Sequence, residues 1–177
     1  MPKIFLLILL FCLQLSAREY NSDIIDIEAK LFVKIALLEA HIQKSEDPRL
    51  NIYILAKEID SKAANLFRSA IEADYPQKVL NKKVVVTIAR FSQTMQKRPA
   101  AVIVLRHTPQ ELQAIATWAN KNQILSFAYD PAYLKYGLLA SLYFGQTTKP
   151  YFNKRTIQDY GFVFDPYLMQ LSKFNGE

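Results

Sequence analysis

The fold is decided by one stretch, residues 101–128, which predicts a strand, a helix and a second strand. It opens with Ala101-Val-Ile-Val-Leu105, an apolar run rich in β-branched residues that is typical of a strand covered on both faces. Thr108-Pro-Gln-Glu111 then predicts a helix start, because Thr108 can cap free backbone N–H groups and Glu111 can close a capping box. The second strand is Ile124-Leu-Ser-Phe-Ala128. A crossover of this kind joins parallel strands through a right-handed connection.

The same alternation extends in both directions from this stretch. Upstream, an amphipathic helix is predicted from apolar residues at helical spacing, namely Ile24, Ile27, Leu31, Ile35, Leu38 and Ile42, in a stripe that Ala29, Phe32 and Ala36 broaden. A strand at 50–56, a helix from 60 to before Pro76 and a strand at 83–89 follow it. Downstream, we expect a short helical piece at 130–137, a strand at 138–144, an antiparallel edge strand at 150–153, and closing helices at 156–160 and 165–173. This order predicts a three-layer Rossmann-like α/β domain with a mostly parallel sheet and an antiparallel C-terminal edge.

The first seventeen residues predict an export signal. Lys3 precedes an apolar run from Ile4 to Leu13, and Leu15-Ser-Ala17 offers small residues to a signal peptidase. The run is shorter than the roughly 20 apolar residues that a membrane-spanning helix needs. We therefore predict a signal peptide at 1–17, a single domain at 18–177, and a periplasmic location.

The charge is mild and scattered. The chain of 177 residues has 22 Lys and Arg against 16 Asp and Glu, and loss of Lys3 with the signal would leave a formal charge of +5. Since no basic stripe is interleaved with base-stacking aromatics, we expect no nucleic-acid partner. Cleavage after Ala17 would also remove Cys12, the only cysteine, so the mature domain would have no disulfide.

The usual signals of catalysis and of cofactor binding are missing from the sequence. Only two histidines occur, His41 and His107, and they lie far apart with no ligand-spaced partners. The four glycines are too dispersed for a phosphate-binding loop, and no Gly-x-Ser-x-Gly turn is present. The expectation is a protein that is not an enzyme and that has no metal and no cofactor.

Aromatic residues are concentrated between Phe127 and Tyr167. Tyrosine combines an apolar body with a polar tip, so such residues serve in the core, in interfaces and in pockets for small ligands. The candidate binding residues, for a partner or a ligand, are Tyr136, Tyr151, Phe152, Asn153 and Arg155, with Arg106 as a further candidate for an anion. Asn153 has an alternative interpretation as the cap of the helix that follows it. A homodimer is also left open.

The chain resembles the YfiR/HmsC-like periplasmic proteins. The resemblance lies in Leu31-Phe-Val-Lys-Ile-Ala36, Leu50-Asn-Ile-Tyr-Ile-Leu55, Ile124-Leu-Ser-Phe127, Gly137-Leu-Leu-Ala140, Tyr151-Phe-Asn153, and Tyr160-Gly-Phe162 leading to Leu168-Met-Gln-Leu171. It covers most of the chain after the signal. The cysteines and the Trp-Pro pair that many members carry do not occur here.

The resemblance implies a non-enzymatic periplasmic regulator. It would bind the periplasmic domain of an inner-membrane diguanylate cyclase, a cyclic-di-GMP signalling enzyme, and repress it. The alternative is a single-lobe periplasmic solute-binding protein of a transport system. The two hypotheses differ in where the aromatic residues lie. A regulator has them in an exposed patch, whereas a solute binder has them in the lining of a concave pocket.

Overall fold

The structure, a computed structural model, describes residues 20–175 as a seven-stranded sheet with helices on both faces. The strand order is β2-β1-β3-β4-β5-β6-β7. All neighbouring strands are parallel except β5 and β6. The strands are β1 (Arg49–Leu55), β2 (Lys83–Ala89), β3 (Ala101–Val104), β4 (Leu125–Ala128), β5 (Ala140–Phe144), β6 (Thr148–Asn153) and β7 (Lys173–Asn175). The predicted three-layer α/β class with an antiparallel pair near the C-terminus is confirmed.

Helices cover the two faces of the sheet. They are α1 (Ser22–Leu37), α2 (Ala40–Lys44), α3 (Ser61–Asp74), α4 (Phe91–Thr94), α5 (Pro109–Lys121), α6 (Lys154–Tyr160) and α7 (Pro166–Leu171), with single 3-10 turns at Glu58–Asp60 and Pro131–Tyr136. On one face, α1 and α3 enclose a core in which the ring of Phe32 stacks on that of Phe127 at 4.8 Å. On the other face, α5 buries Leu112, Ile115 and Ala116 against β3 and β4.

The predicted central crossover is present. β3 and β4 pair in parallel with Ala101 opposite Leu125, and α5 connects them. Thr108 Oγ1 accepts a hydrogen bond from the Glu111 N–H at 3.3 Å, and Glu111 Oε2 accepts one from the Thr108 N–H at 2.7 Å. The capping box that the sequence predicts at this helix is therefore confirmed.

The first predicted helix is wrong in its length. It is broken after Leu37, where Glu39 caps α2 by accepting hydrogen bonds from the N–H groups of His41 and Ile42, at 2.8 and 3.0 Å. Most of its predicted apolar face is buried, including Ala29, Phe32 and Ile35, whereas the side chain of Ile27 is 39% exposed. The Phe32–Phe127 stack fixes which side of α1 meets the sheet.

The C-terminal region contains one strand that the sequence did not predict. The antiparallel hairpin of β5 and β6 is confirmed, with Leu142 opposite Pro150. However, β6 is not the edge of the sheet, because β7 pairs parallel to it with Phe152 opposite Phe174. The predicted helix at 165–173 is correspondingly shorter and ends at Leu171.

Within residues 20–175, no helix has the length and apolar character needed to cross a membrane. The predicted signal peptide at 1–17 lies outside the described residues.

Candidate functional site

Several polar side chains lie in the loops at the carboxyl ends of the parallel strands, at one edge of the sheet. The chain passes from β1 outward to β2 and then returns to the other side of β1 as β3. The loops that follow β1 and β3 therefore diverge and leave a crevice between them, which is where ligands bind in open α/β sheets. Residues 56–60 and 105–108 form these loops, and residues 129–133 follow the neighbouring strand β4.

A concave site of about 360 Å³ opens beside this crevice, on the face covered by α1. We call it the tyrosine cleft. It is lined by Tyr20, Asn21, Ile24, Arg106, Tyr129, Asp130, Pro131, Tyr133 and Phe144. Its residues come from the start of α1, from the loops after β3 and β4, and from the end of β5.

The aromatic wall of the cleft is built by contacts between distant parts of the chain. The rings of Tyr20 and Tyr129 lie 4.7 Å apart at 57°, and Phe67 of α3 supports Tyr129 edge-on at 6.1 Å. The Tyr129 hydroxyl accepts a hydrogen bond from the Asn21 N–H at 3.2 Å. These contacts fix the start of α1 against the end of β4, so the wall is held in place before any ligand binds.

Arg106 places a positive charge at the cleft. Its guanidinium lies 5.3 Å from the centre of the Tyr20 ring, and its backbone N–H donates to the Tyr20 hydroxyl at 3.0 Å. Burial raises the pKa of Tyr20 well above its usual value, so this tyrosine keeps its proton at physiological pH.

Asp130 places a negative charge at the same cleft. Its Oδ1 accepts a hydrogen bond from the Ala132 N–H at 2.9 Å and so begins the 3-10 turn that carries Tyr133. Burial, and next the charge of Asp130, raise the pKa of Tyr133. The cleft therefore combines aromatic surface with one cation and one carboxylate.

Two buried carboxyl groups lie near this edge. Glu28 of α1 is 0% exposed, and neither of its side-chain oxygens has a hydrogen-bond partner. Burial, with a further contribution from Asp130, raises the pKa of Glu28 well above its usual value. Asp60, at 3% exposure, leaves its Oδ2 without a partner and acts electrostatically on Tyr20.

A second concavity, of about 410 Å³, lies beyond the ends of β1 and β2. Two ion pairs cross it, Lys57 with Glu111 at 2.7 Å and Arg90 with Glu58 at 3.1 Å. The hydrogen bond from Lys57 lowers the pKa of Glu111 to about 2, and burial lowers the pKa of His107. Both cations of this concavity have carboxylate partners, so a charged ligand would have to compete with these ion pairs.

All the candidate binding residues from the sequence except Arg106 lie outside the tyrosine cleft. Phe152 is a correction, because it is 0% exposed and packs in the core on Phe164 at 4.8 Å. Tyr151 and Tyr136 are half-buried on the opposite face of the sheet, in the core beside α5. Arg155 is exposed on α6, outside the cleft.

Asn153 caps the helix that follows it, as its alternative interpretation predicts. Its Oδ1 accepts a hydrogen bond from the Thr156 N–H at 3.1 Å and caps α6, and its Nδ2 donates to the Leu134 carbonyl at 2.8 Å. Both ends of the side-chain amide are thus occupied. Among the candidates, only Arg106 lines the tyrosine cleft.

Sequence reasoning missed the tyrosine cleft because most of its residues lie far apart in the chain. Tyr20 follows directly on the predicted signal, and Glu28 interrupts an otherwise apolar helix face. Glu28 was the one residue whose position in the sequence could have indicated a site here. On the face that carries Ile25, Ala29 and Phe32, a charged residue is out of place unless it has a partner or a function.

No family model matches the sequence, and a search among curated proteins finds no match. The resemblance to YfiR/HmsC-like proteins accordingly stays a prediction.

The fold and its cleft define a Rossmann-like α/β domain with an aromatic concavity at the carboxyl edge of the sheet. Two solved structures share this fold. A conserved domain protein from Vibrio cholerae matches with a TM-score of 0.59 at 12% identity, over 86% of this chain and 60% of that one. The ABC domain from Streptococcus pneumoniae, solved in complex with L-Trp, matches with a TM-score of 0.56 at 10% identity, over 85% of this chain and 61% of that one. The chain thus spans about three-fifths of their length, and at these identities the likeness concerns the fold alone.

Proposed function

We propose that this protein binds a small organic solute of amino-acid size in the tyrosine cleft. The observation that carries the proposal is the composition of that cleft, where aromatic rings surround one guanidinium, Arg106, and one carboxylate, Asp130. The alternative function predicted from the sequence, a single-lobe solute-binding protein of a transport system, fits this cleft better than the regulator does.

The size and lining of the cleft support a small ligand. Its volume of about 360 Å³ lies within the roughly 300–1,000 Å³ typical of small-molecule sites. Such sites combine apolar and aromatic surface with a few polar groups in fixed positions. Here the rings of Tyr20, Tyr129 and Tyr133 supply the surface, and Arg106 and Asp130 supply opposite charges for a ligand that carries both.

The fold likeness supports the same class of ligand. The similar domain from Streptococcus pneumoniae was solved in complex with L-Trp, an aromatic molecule with one positive and one negative group. An aromatic amino acid therefore serves as the first probe for this chain.

The test is calorimetric titration of the purified protein with L-tryptophan and L-phenylalanine. Tyr133→Ala removes an aromatic wall of the cleft, whereas Tyr136→Ala removes a half-buried tyrosine of the same 3-10 turn that lies outside it. We expect Tyr133→Ala to weaken binding by about tenfold or more, and Tyr136→Ala to leave it unchanged. Absence of binding by the wild-type protein to these and the other amino acids would refute the proposal.

A second candidate is the regulator that represses an inner-membrane diguanylate cyclase. One observation favours it: Tyr167 and Leu171, one turn apart on α7, are 68% and 48% exposed, which is unusual for large apolar side chains. Recovery of a membrane cyclase in a periplasmic pull-down, and its loss with a Tyr167→Ser, Leu171→Ser double variant, would support this function. A pull-down that returns no cyclase would count against it.

A further inference from the structure

Among the described residues, Glu28 is the one that buries two side-chain oxygens without a hydrogen-bond partner. Its side chain is 0% exposed on α1, and both carboxyl oxygens lack a hydrogen-bond partner. Burial of a polar group without a compensating hydrogen bond is strongly unfavourable, and more so when the group is charged. Packing alone would be better served by leucine or methionine at this position, so the carboxyl group requires another explanation.

Glu28 does not itself line the tyrosine cleft, but its position on α1 puts its side chain next to residues that do. Ile24, one helical turn earlier on the same face of α1, lines the cleft. Side chains on a helix lean toward its N-terminal end, and the N-terminal end of α1 lies at the cleft with Tyr20 and Asn21. Asp130, which also lines the cleft, is close enough for its charge to act on Glu28.

The groups around this point can hold a cation. Asp130 and Arg106 are the carboxylate and the guanidinium among the residues that line the cleft, and the buried carboxyl group of Glu28 can ionise when a cation approaches. The guanidinium of Arg106 lies over the Tyr20 ring. The faces of the surrounding aromatic rings also attract cations, because their π electrons are negative.

We propose that Glu28 and Asp130 form an ammonium subsite at the base of the tyrosine cleft, and that the natural ligand carries a primary amine. This inference rests on the proposed function and specifies its ligand class. The ammonium donates its N–H groups to the carboxylate oxygens of Glu28 and Asp130. The ligand class is then an amino acid or an aromatic amine, and not a simple organic acid.

Binding at this subsite releases a proton. Asp130 is the ionisable group whose charge acts on Glu28, and α3 buries only Ala63, Ala64, Phe67 and Ile71. The other ionisable groups at this edge of the sheet are Asp60, Arg106 and the hydroxyls of Tyr20, Tyr129 and Tyr133. In the empty site, burial and Asp130 keep Glu28 protonated, because both raise its pKa. An ammonium favours the ionised carboxylate, so the proton of Glu28 passes to the buffer, and affinity rises with pH until Glu28 is ionised in the empty protein.

A matched set of three probes tests the subsite on the full protein: L-phenylalanine, phenethylamine, which lacks the carboxylate, and 3-phenylpropionate, which lacks the amine. Calorimetry in buffers of different ionisation enthalpy measures affinity and proton release together. We expect L-phenylalanine and phenethylamine to bind with release of about one proton, and 3-phenylpropionate to bind at least about tenfold more weakly than phenethylamine.

The possible outcomes separate this inference from the proposed function. If 3-phenylpropionate binds as tightly as phenethylamine, or if no proton is released, the ammonium subsite is wrong while the solute-binding function stands. If none of the three probes binds and no other amino acid does, both are wrong.

The variant Glu28→Gln keeps the shape of the side chain and removes its charge. We expect it to weaken phenethylamine binding at least about tenfold and to abolish proton release. Asp26→Asn, at an exposed position of the same helix, should change neither quantity. Should Glu28→Gln fail to fold, Asp130→Asn, which keeps an acceptor for the Ala132 N–H, is expected to weaken phenethylamine similarly. Wild-type affinity in a folded Glu28→Gln protein would overturn the inference.

Discussion

The hydroxyl of Tyr20 accepts a hydrogen bond from the backbone N–H of Arg106 at 3.0 Å, while the guanidinium of Arg106 lies 5.3 Å from the centre of the Tyr20 ring. This pair joins the chain just before α1 to the loop after β3, and it forms one wall of the tyrosine cleft. The position of α1 over the sheet, and with it the shape of the cleft, therefore depends on a contact between residues 86 positions apart.

Tyr20→Phe tests this contact. The ring remains, but the Arg106 N–H loses its acceptor, so we expect the free energy of unfolding to fall by about 1–2 kcal/mol. Urea denaturation measures the change. Tyr167→Phe, which removes a hydroxyl at a position that is 68% exposed, is the control and should have an effect below about 0.5 kcal/mol. Equal effects of the two substitutions would contradict the role of the Tyr20 hydroxyl.

Glu28 should make stability depend on pH in a defined direction. Because its pKa is raised in the folded protein, the folded state binds more protons than the unfolded state between the unfolded pKa and the raised one. The contribution of Glu28 to stability is then fully present below the unfolded pKa and is lost as pH rises through the folded one. Urea denaturation at pH values from 4 to 9, in steps of about one pH unit, measures this decline.

Glu28→Gln should remove that decline, because glutamine does not titrate. At the alkaline end of the range, we expect the variant to be the more stable protein by at least about 1 kcal/mol. Asp26→Asn on the exposed side of α1 should retain the wild-type dependence. Parallel curves for the wild type and Glu28→Gln would show that Glu28 does not titrate as proposed.

Phe152 should behave as a core residue and not as a surface one. It is 0% exposed and contacts the rings of Phe164 and Phe174 at 4.8 and 6.4 Å, so Phe152→Ala should cost about 3–5 kcal/mol. The neighbouring Tyr151 is half-buried, and Tyr151→Ala should cost about 1–2 kcal/mol. A smaller cost for Phe152→Ala than for Tyr151→Ala, measured by denaturation, would contradict this assignment.

Asn153 and Arg155, at the start of α6, should also differ in how much they contribute to stability. Asn153→Ala removes the helix cap and the hydrogen bond to the Leu134 carbonyl, and should lower stability by about 1–2 kcal/mol. Arg155→Ala, at an exposed position, should lie within about 0.5 kcal/mol of the wild type. If ligand binding is lost in Arg155→Ala while stability is unchanged, the binding site includes α6 and not the tyrosine cleft alone.

Local signals in the sequence predicted local structure well. The capping box of Thr108 and Glu111, and the alternation of apolar strands with helices, each depend on neighbours within a few residues, so the central crossover and the α/β class could be predicted. Periodicity predicted most of the buried face of α1, including Ala29, Phe32 and Ile35, but it could not exclude Ile27, which is 39% exposed. The stack of Phe32 on Phe127, more than ninety positions away, fixes which side of α1 meets the sheet.

The candidate site, in contrast, depends on contacts between residues that lie far apart in the chain. Phe152 was predicted as an edge residue because β7, with only three residues, is too short to recognise before the sheet is assembled. Arg106 was predicted only as a candidate contact for an anion, and its place at the carboxyl end of a parallel strand is one where ligands bind in such sheets. Tyr20, Tyr129 and Glu28 could not be placed beside it from sequence, since nothing in the spacing of these residues indicates that α1 packs over the ends of β3 and β4.

The most direct test of the central claim is a two-dimensional NMR titration of the ¹⁵N-labelled protein with L-phenylalanine. A ligand bound in the tyrosine cleft should shift the amide signals of residues 20–24, 106, 129, 130, 132, 133 and 144, and leave those of Lys57, Arg90 and Arg155 unchanged. Saturable shifts confined to the first set are the predicted result. Shifts centred on Lys57 and Arg90 in the second concavity, or the absence of any saturable shift, would contradict the account.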